Sequence, residues 1–168
     1  MKKDTENPKL KIKLTAFDYL IEAAALLCWL ALFLLPLIYY SDLPDNIPRH
    51  FDFEGRADAW DGKQIIFTLP AIGTALYLLL SIVSRFPHKF NYLKSITAEN
   101  AARQYAIALR IVRMLKFIIM AAFVYIMMGT INTALGKLDG LGAGFLPFLL
   151  LVISALITYG IMKSRQAG

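Results

Sequence analysis

Residues 17–40 read FDYLIEAAALLCWLALFLLPLIYY, 24 residues whose only charges, Asp18 and Glu22, fall in the first two turns. At about 1.5 Å per residue such a helix reaches about 36 Å, enough to cross a hydrocarbon layer of about 30 Å with some tilt. Tyr19 at one end, with Tyr39 and Tyr40 at the other, suits the two interfaces. Pro36 marks where the outer end can kink.

Three further apolar runs follow, at about 64–84, 107–131 and 141–162. They explain why 58% of the 168 residues are hydrophobic, against about 45–50% in soluble domains. Apolar residues gathered in four blocks of this length specify a bilayer rather than a core. The chain is therefore expected to be an all-α membrane protein: a four-helix transmembrane bundle of antiparallel neighbours spanning 17–162. It has an outer loop at 41–63, an inner loop at 85–106, and cytoplasmic tails at 1–16 and 163–168. The stretch Met1 to Leu14 reads as disordered. The third helix is expected to begin near Thr97, whose hydroxyl can cap it. No stretch reads as a cleaved signal peptide, and the lone Cys28 excludes an intrachain disulfide.

Lys and Arg set the orientation. The N-terminal tail carries five, the segment from Arg85 through Lys116 seven, and the C-terminal tail two. The opposite side has only Arg49, Arg56, Lys63 and Lys137. Both termini are thus expected inside and the first loop outside, in a multi-pass protein of a plasma membrane. The net charge of +6 belongs to these flanks, and with no nucleic-acid fold signature beside it, nucleic acid is not an expected partner.

The outer loop is shaped. Pro44 and Pro48, four apart, forbid a regular helix. His50-Phe51-Asp52-Phe53 alternates as a short strand does, and Gly55 and Gly62 mark turns. Its six acids (Asp42, Asp45, Asp52, Glu54, Asp58, Asp61) outnumber its three basic residues. His50 with Asp52 or Glu54 offers nitrogen and oxygen donors, yet the spacing fits no strong metal motif, and the same residues can simply hydrogen-bond a folded cap. No metal and no cofactor is expected. No catalytic set can be assembled, because His50 and His88 are predicted on opposite sides of the membrane.

Glu22 is an acid inside a span, where a charge is costly and marks either a substrate or proton site or a structural ion pair. Arg110 or Arg113 is its expected partner, and Asp18 shares its face. Arg103, Arg110 and Arg113 cluster on one face of the third helix beside an apolar face, an arrangement suited to anionic lipid at the inner surface or to a cytoplasmic partner. Gly140 and Gly144 form a GxxxG spacing that predicts close approach of spans three and four.

The outer loop also resembles a known family. Leu43, Pro44, Ile47, Pro48, His50, Phe51, Gly55, Asp58 and Lys63 match the pattern of a short domain of unknown function shared with SdpI-type bacterial immunity proteins. A second patch on the inner side, Asn91, Tyr92, Ile96, Thr97, Asn100 and Tyr105, looks similar too. The resemblance runs over roughly residues 20–115. It implies a bacterial inner-membrane protein that meets an extracytoplasmic ligand such as a toxic peptide through Pro44, Pro48, His50, Phe51, Gly55, Asp58 and Lys63. It also implies a cytoplasmic protein partner signalled to through the inner patch. Leu93 and Asp61-Gly62 depart from the family pattern. Two other readings stand beside it: a small transporter or channel subunit using Glu22, which with four spans would need a homo-oligomer, and a membrane-embedded metal-dependent enzyme built on His50.

Overall fold

A computed structural model describes residues 7–167. The expectation that the first six residues, with Lys2 and Lys3, are disordered lies outside the described residues. Among the described residues, four helices are long and apolar enough to cross a bilayer, and the chain is a multi-pass membrane protein. Helix α1 spans Ala16–Tyr39. It starts at a reciprocal cap: Thr15 Oγ1 accepts from the Asp18 amide at 3.3 Å and the Asp18 carboxylate accepts from the Thr15 amide at 2.9 Å.

The bundle is not purely helical. Strands β1 (Asn46–Phe51) and β2 (Ala57–Gly62) form an antiparallel hairpin; the strand expected at His50–Phe53 lies earlier, holding only His50 and Phe51 of that stretch, while Asp52 and Phe53 belong to the turn. A short 3₁₀ turn, Lys63–Phe67, leads into α2, Thr68–Val83. Helix α3 spans Ala101–Ala134, 34 residues or about 51 Å, longer than the hydrocarbon layer. Thr97 and Asn100 exchange side-chain-to-backbone bonds at 2.9 and 3.3 Å and organise the turn that precedes it. Helix α4 spans Phe145–Gln166, several residues later than the apolar run at 141–162 suggests.

Helix α3 packs against all three others, and α1 also packs on α2. Most large apolar side chains on α1, α2 and α4 remain exposed on the outer surface, as lipid-facing helices require. The buried cluster of Leu32, Met120, Met127 and Ile131 is completed by Leu43 and Ile47, which come from the loop. The hairpin is therefore anchored in the bundle by its own apolar residues.

The hairpin and the connection between α3 and α4 lie together at one end: the Leu141 amide donates to the Gly55 carbonyl at 2.7 Å. Both chain ends and the connection between α2 and α3 meet at the other, where Lys94 Nζ donates to the Arg165 carbonyl at 3.0 Å. Tyr105 Oη there donates to the Pro8 carbonyl at 3.0 Å. The glycines expected to bring α3 and α4 together instead lie in their connection. Gly140 has φ +155°, and a Cβ there would collide with the Gly55 carbonyl. Its lack of a side chain serves the hairpin turn. Helices α3 and α4 approach at Gly160, where a Cβ would stand 2.5 Å from Ile111 Cδ1.

Candidate functional site

Pro48 has no amide hydrogen, so β1 cannot pair regularly through it. The register accordingly skips Arg49 between Pro48 and His50, and skips Asp58 between Ala59 and Ala57. These two opposed irregularities set His50 beside Asp58, with Nδ1 2.7 Å from Oδ1. At the tip, Asp52 Oδ1 accepts from the amides of Glu54 and Arg56, both at 2.9 Å, and Gly55 turns the chain at φ +77°. The Arg56 amide and guanidinium, with the Glu54 amide, hold the Asp52 carboxyl below the ordinary carboxylate range. Arg56 also pairs with Glu54.

Beneath this hairpin is a cavity of 670 Å³. Its walls are mostly apolar and come from three helices: Ile72 and Leu69 of α2, Ile126 and Met127 of α3, Phe145 and Leu146 of α4. Its mouth carries Arg49, His50, Asp52 and Asp58. Pockets for small ligands are commonly about 300–1,000 Å³, apolar, with a few polar groups at fixed positions, and this one has that form. Of the residues singled out in the loop, Pro48, His50, Phe51, Gly55 and Asp58 line it and Pro44 does not. Lys63 is turned to the hairpin base, where Nζ donates to the Leu43 carbonyl at 3.2 Å and stands 5.3 Å from the Tyr40 ring centroid. The wall residues of α2, α3 and α4 carried no signal in the sequence, since each is one apolar residue among many.

Glu22 belongs to a different constellation. Asp18 and Glu22 face Arg110, Arg113 and Lys116 in four ion pairs. Asp18 meets Arg110 at 3.1 Å and Arg113 at 3.6 Å, and Glu22 meets Arg113 at 3.4 Å and Lys116 at 2.6 Å. Lys116 Nζ also donates to Ser81 Oγ at 3.1 Å and lies 4.7 Å from the Tyr77 ring centroid. Arg110 and Arg113 thus turn to α1, while Arg103 is exposed. Lys116 was absent from the expected partners of Glu22. A cation mid-run, one turn beyond Arg113, was the signal for it.

The second patch of the resemblance, within 91–105, forms a structural clasp. Tyr92 Oη donates to the Pro87 carbonyl at 2.9 Å, and burial pushes its phenol up. Its ring lies 5.5 Å from that of Tyr105. Asn100 Nδ2 reaches the Ser95 carbonyl at 3.1 Å. Asn91 is exposed. Gln104, which no motif marked, exchanges two 2.8 Å bonds with Ser164 and ties α3 to α4.

Residues 26–74 match the family model described as a domain of unknown function (DUF1648). The loop motif at 43–63 lies within the match and the patch at 91–105 beyond it. An uncharacterized protein of Archaeoglobus fulgidus is 32% identical over 68 residues, which are 36% of this chain and 37% of that protein. The chain thus spans little more than a third of that relative's length. No solved structure matches.

Proposed function

We propose that this chain is a membrane receptor of the immunity and signalling type, binding an extracytoplasmic ligand with an apolar part in the cavity beneath its hairpin. The cavity carries the reading: 670 Å³ of mostly apolar space with Arg49, His50, Asp52 and Asp58 at its mouth. The hairpin end holds few Lys and Arg, and the opposite end holds most of them, which favours an outward-facing mouth. A membrane-active peptide fits this site, since an apolar side chain can enter the cavity while polar backbone meets the hairpin's charged rim. The surrounding helices would relay occupancy to the inner clasp.

The reading is tested in cells expressing the chain and challenged with a panel of secreted membrane-active peptides. Leu146→Trp and Ile72→Trp fill the cavity from two helices. Protection by the parent chain, lost in both variants at equal protein level, is the expected result. Equal protection by the parent and both variants sinks the proposal.

A further inference from the structure

The approach to α1 is tied down at two points. Asn7 Nδ2 donates to the His88 carbonyl at 3.0 Å, and the hydroxyl of the buried Tyr105 donates to the Pro8 carbonyl at 3.0 Å. Seven residues after Pro8, the cap of α1 closes on Asp18, and Arg110 Nη2 donates to Thr15 Oγ1 at 3.3 Å. Between the ties runs Lys9-Leu10-Lys11-Ile12-Lys13-Leu14, without regular secondary structure. This segment is a fixed strap, where a disordered tail was expected.

Its six residues alternate strictly between basic and apolar. Successive side chains of an extended chain leave opposite sides, so such a path separates three ammonium groups from three aliphatic side chains. The bundle half-covers Ile12 but leaves Leu10 and Leu14 uncovered, 41% and 39% exposed. Their neighbours along the chain, Phe17 and Leu20, are exposed on α1. The lysines are exposed as well.

The same end of the molecule is strongly positive. Lys9, Lys11, Lys13, Arg85, Lys89, Lys94, Arg103, Lys163 and Arg165 pair with no acid among the described residues. Asp18 and Glu22 are taken up by Arg110, Arg113 and Lys116. Glu99 is the one described acid left here.

An element whose basic and aliphatic side chains alternate, pinned where a lipid-facing helix begins, matches the headgroup region of an anionic bilayer. We infer that residues 9–14 form a lipid-binding strap, whose lysines engage the phosphates of anionic phospholipids while Leu10 and Leu14 enter the upper acyl region. Its ties make the strap part of the fold. Pro8 hangs on Tyr105, and Thr15 is joined through Asp18 to Arg110, so headgroup contact holds α1 against α3.

Each lysine near an anionic surface contributes about fivefold in partitioning, so three contribute about a hundredfold. The test uses the full-length protein equilibrated with equal amounts of phosphatidylglycerol and phosphatidylcholine, with retained lipids counted by native mass spectrometry. The parent chain should retain phosphatidylglycerol preferentially. The preference should fall at least tenfold in K9Q/K11Q/K13Q and persist in K137Q at the hairpin end. No preference in the parent, an unchanged preference in the triple variant, or an equal fall in K163Q/R165Q overturns the strap.

Acetylation of the parent chain by a water-soluble reagent gives a readout that needs no variant. Lys9, Lys11 and Lys13 should be protected in phosphatidylglycerol vesicles and reactive in phosphatidylcholine vesicles. Protection only on adding an acidic soluble protein would assign the strap to a protein partner and overturn the lipid assignment.

Discussion

Removing Glu22 alone from the ion-pair ladder should cost more than removing Glu22 and Lys116 together. Glu22→Leu deprives Lys116 of its only carboxylate among the described residues and leaves its ammonium, 2% exposed, with the Ser81 hydroxyl and the Tyr77 ring. Breaking a buried pair by deleting one partner costs about 3–5 kcal/mol. The Ser81 hydroxyl and the Tyr77 ring still hold the ammonium, so the low end applies, about 3 kcal/mol. The reverse change, Lys116→Met, is milder, because Glu22 keeps Arg113 at 3.4 Å; about 1–2 kcal/mol is expected. In Glu22→Leu/Lys116→Met no unpaired ammonium remains, and Arg113 still has Asp18 at 3.6 Å. The double variant should therefore be more stable than Glu22→Leu alone by about 1–2 kcal/mol, despite carrying one more change. The assay is reversible unfolding in mixed micelles, followed by the reaction of the single thiol, Cys28, with a fluorogenic maleimide. A double variant destabilised by the sum of the two singles would refute the coupling, and a fully stable Glu22→Leu would refute the burden placed on Lys116.

Gly140→Ala should release the hairpin tip, because its Cβ would meet the Gly55 carbonyl, whereas Gly144→Ala has nothing within 4 Å and should be silent. Amide exchange over residues 52–56 distinguishes the two, and equal effects would restore the helix-packing reading of that spacing. The Asp52 carboxyl is depressed, so its hold on the tip is full above the ordinary carboxylate range and is lost as pH falls below it. Exchange at Glu54 and Arg56 should therefore rise in acid beyond its intrinsic pH dependence, and Asp52→Asn should exchange fast at neutral pH and flatten that rise. Lys63→Met removes the bond to the Leu43 carbonyl and should cost about 1 kcal/mol, read as faster exchange at residues 43–47.

Apolar run length made the four helices legible, because a bilayer imposes length and composition on each helix independently of its neighbours. Pairwise geometry is another matter. Periodicity placed Asp18 and Glu22 on one face and Arg110 and Arg113 on another, so their meeting was foreseeable. Lys116 escaped because it was counted with the basic flank, although it stands well inside the apolar run, where an ammonium demands an acid. The glycines at 140 and 144 were misread for a related reason: a four-residue spacing means close packing only if both residues are helical, and α4 begins at Phe145. In the hairpin, Pro44 and Pro48 excluded a helix but did not say which residues would bulge, and only the bulges at Arg49 and Asp58 bring His50 to Asp58. The cavity was the least visible feature. It is a space bounded by single residues of three helices whose lipid-facing neighbours have the same composition, and hydropathy does not tell an inward Ile126 from an outward Leu79. What the sequence did mark was its roof, because a loop that must stand folded over such a space needs proline, glycine and paired charges, and those residue types are conspicuous beside membrane helices.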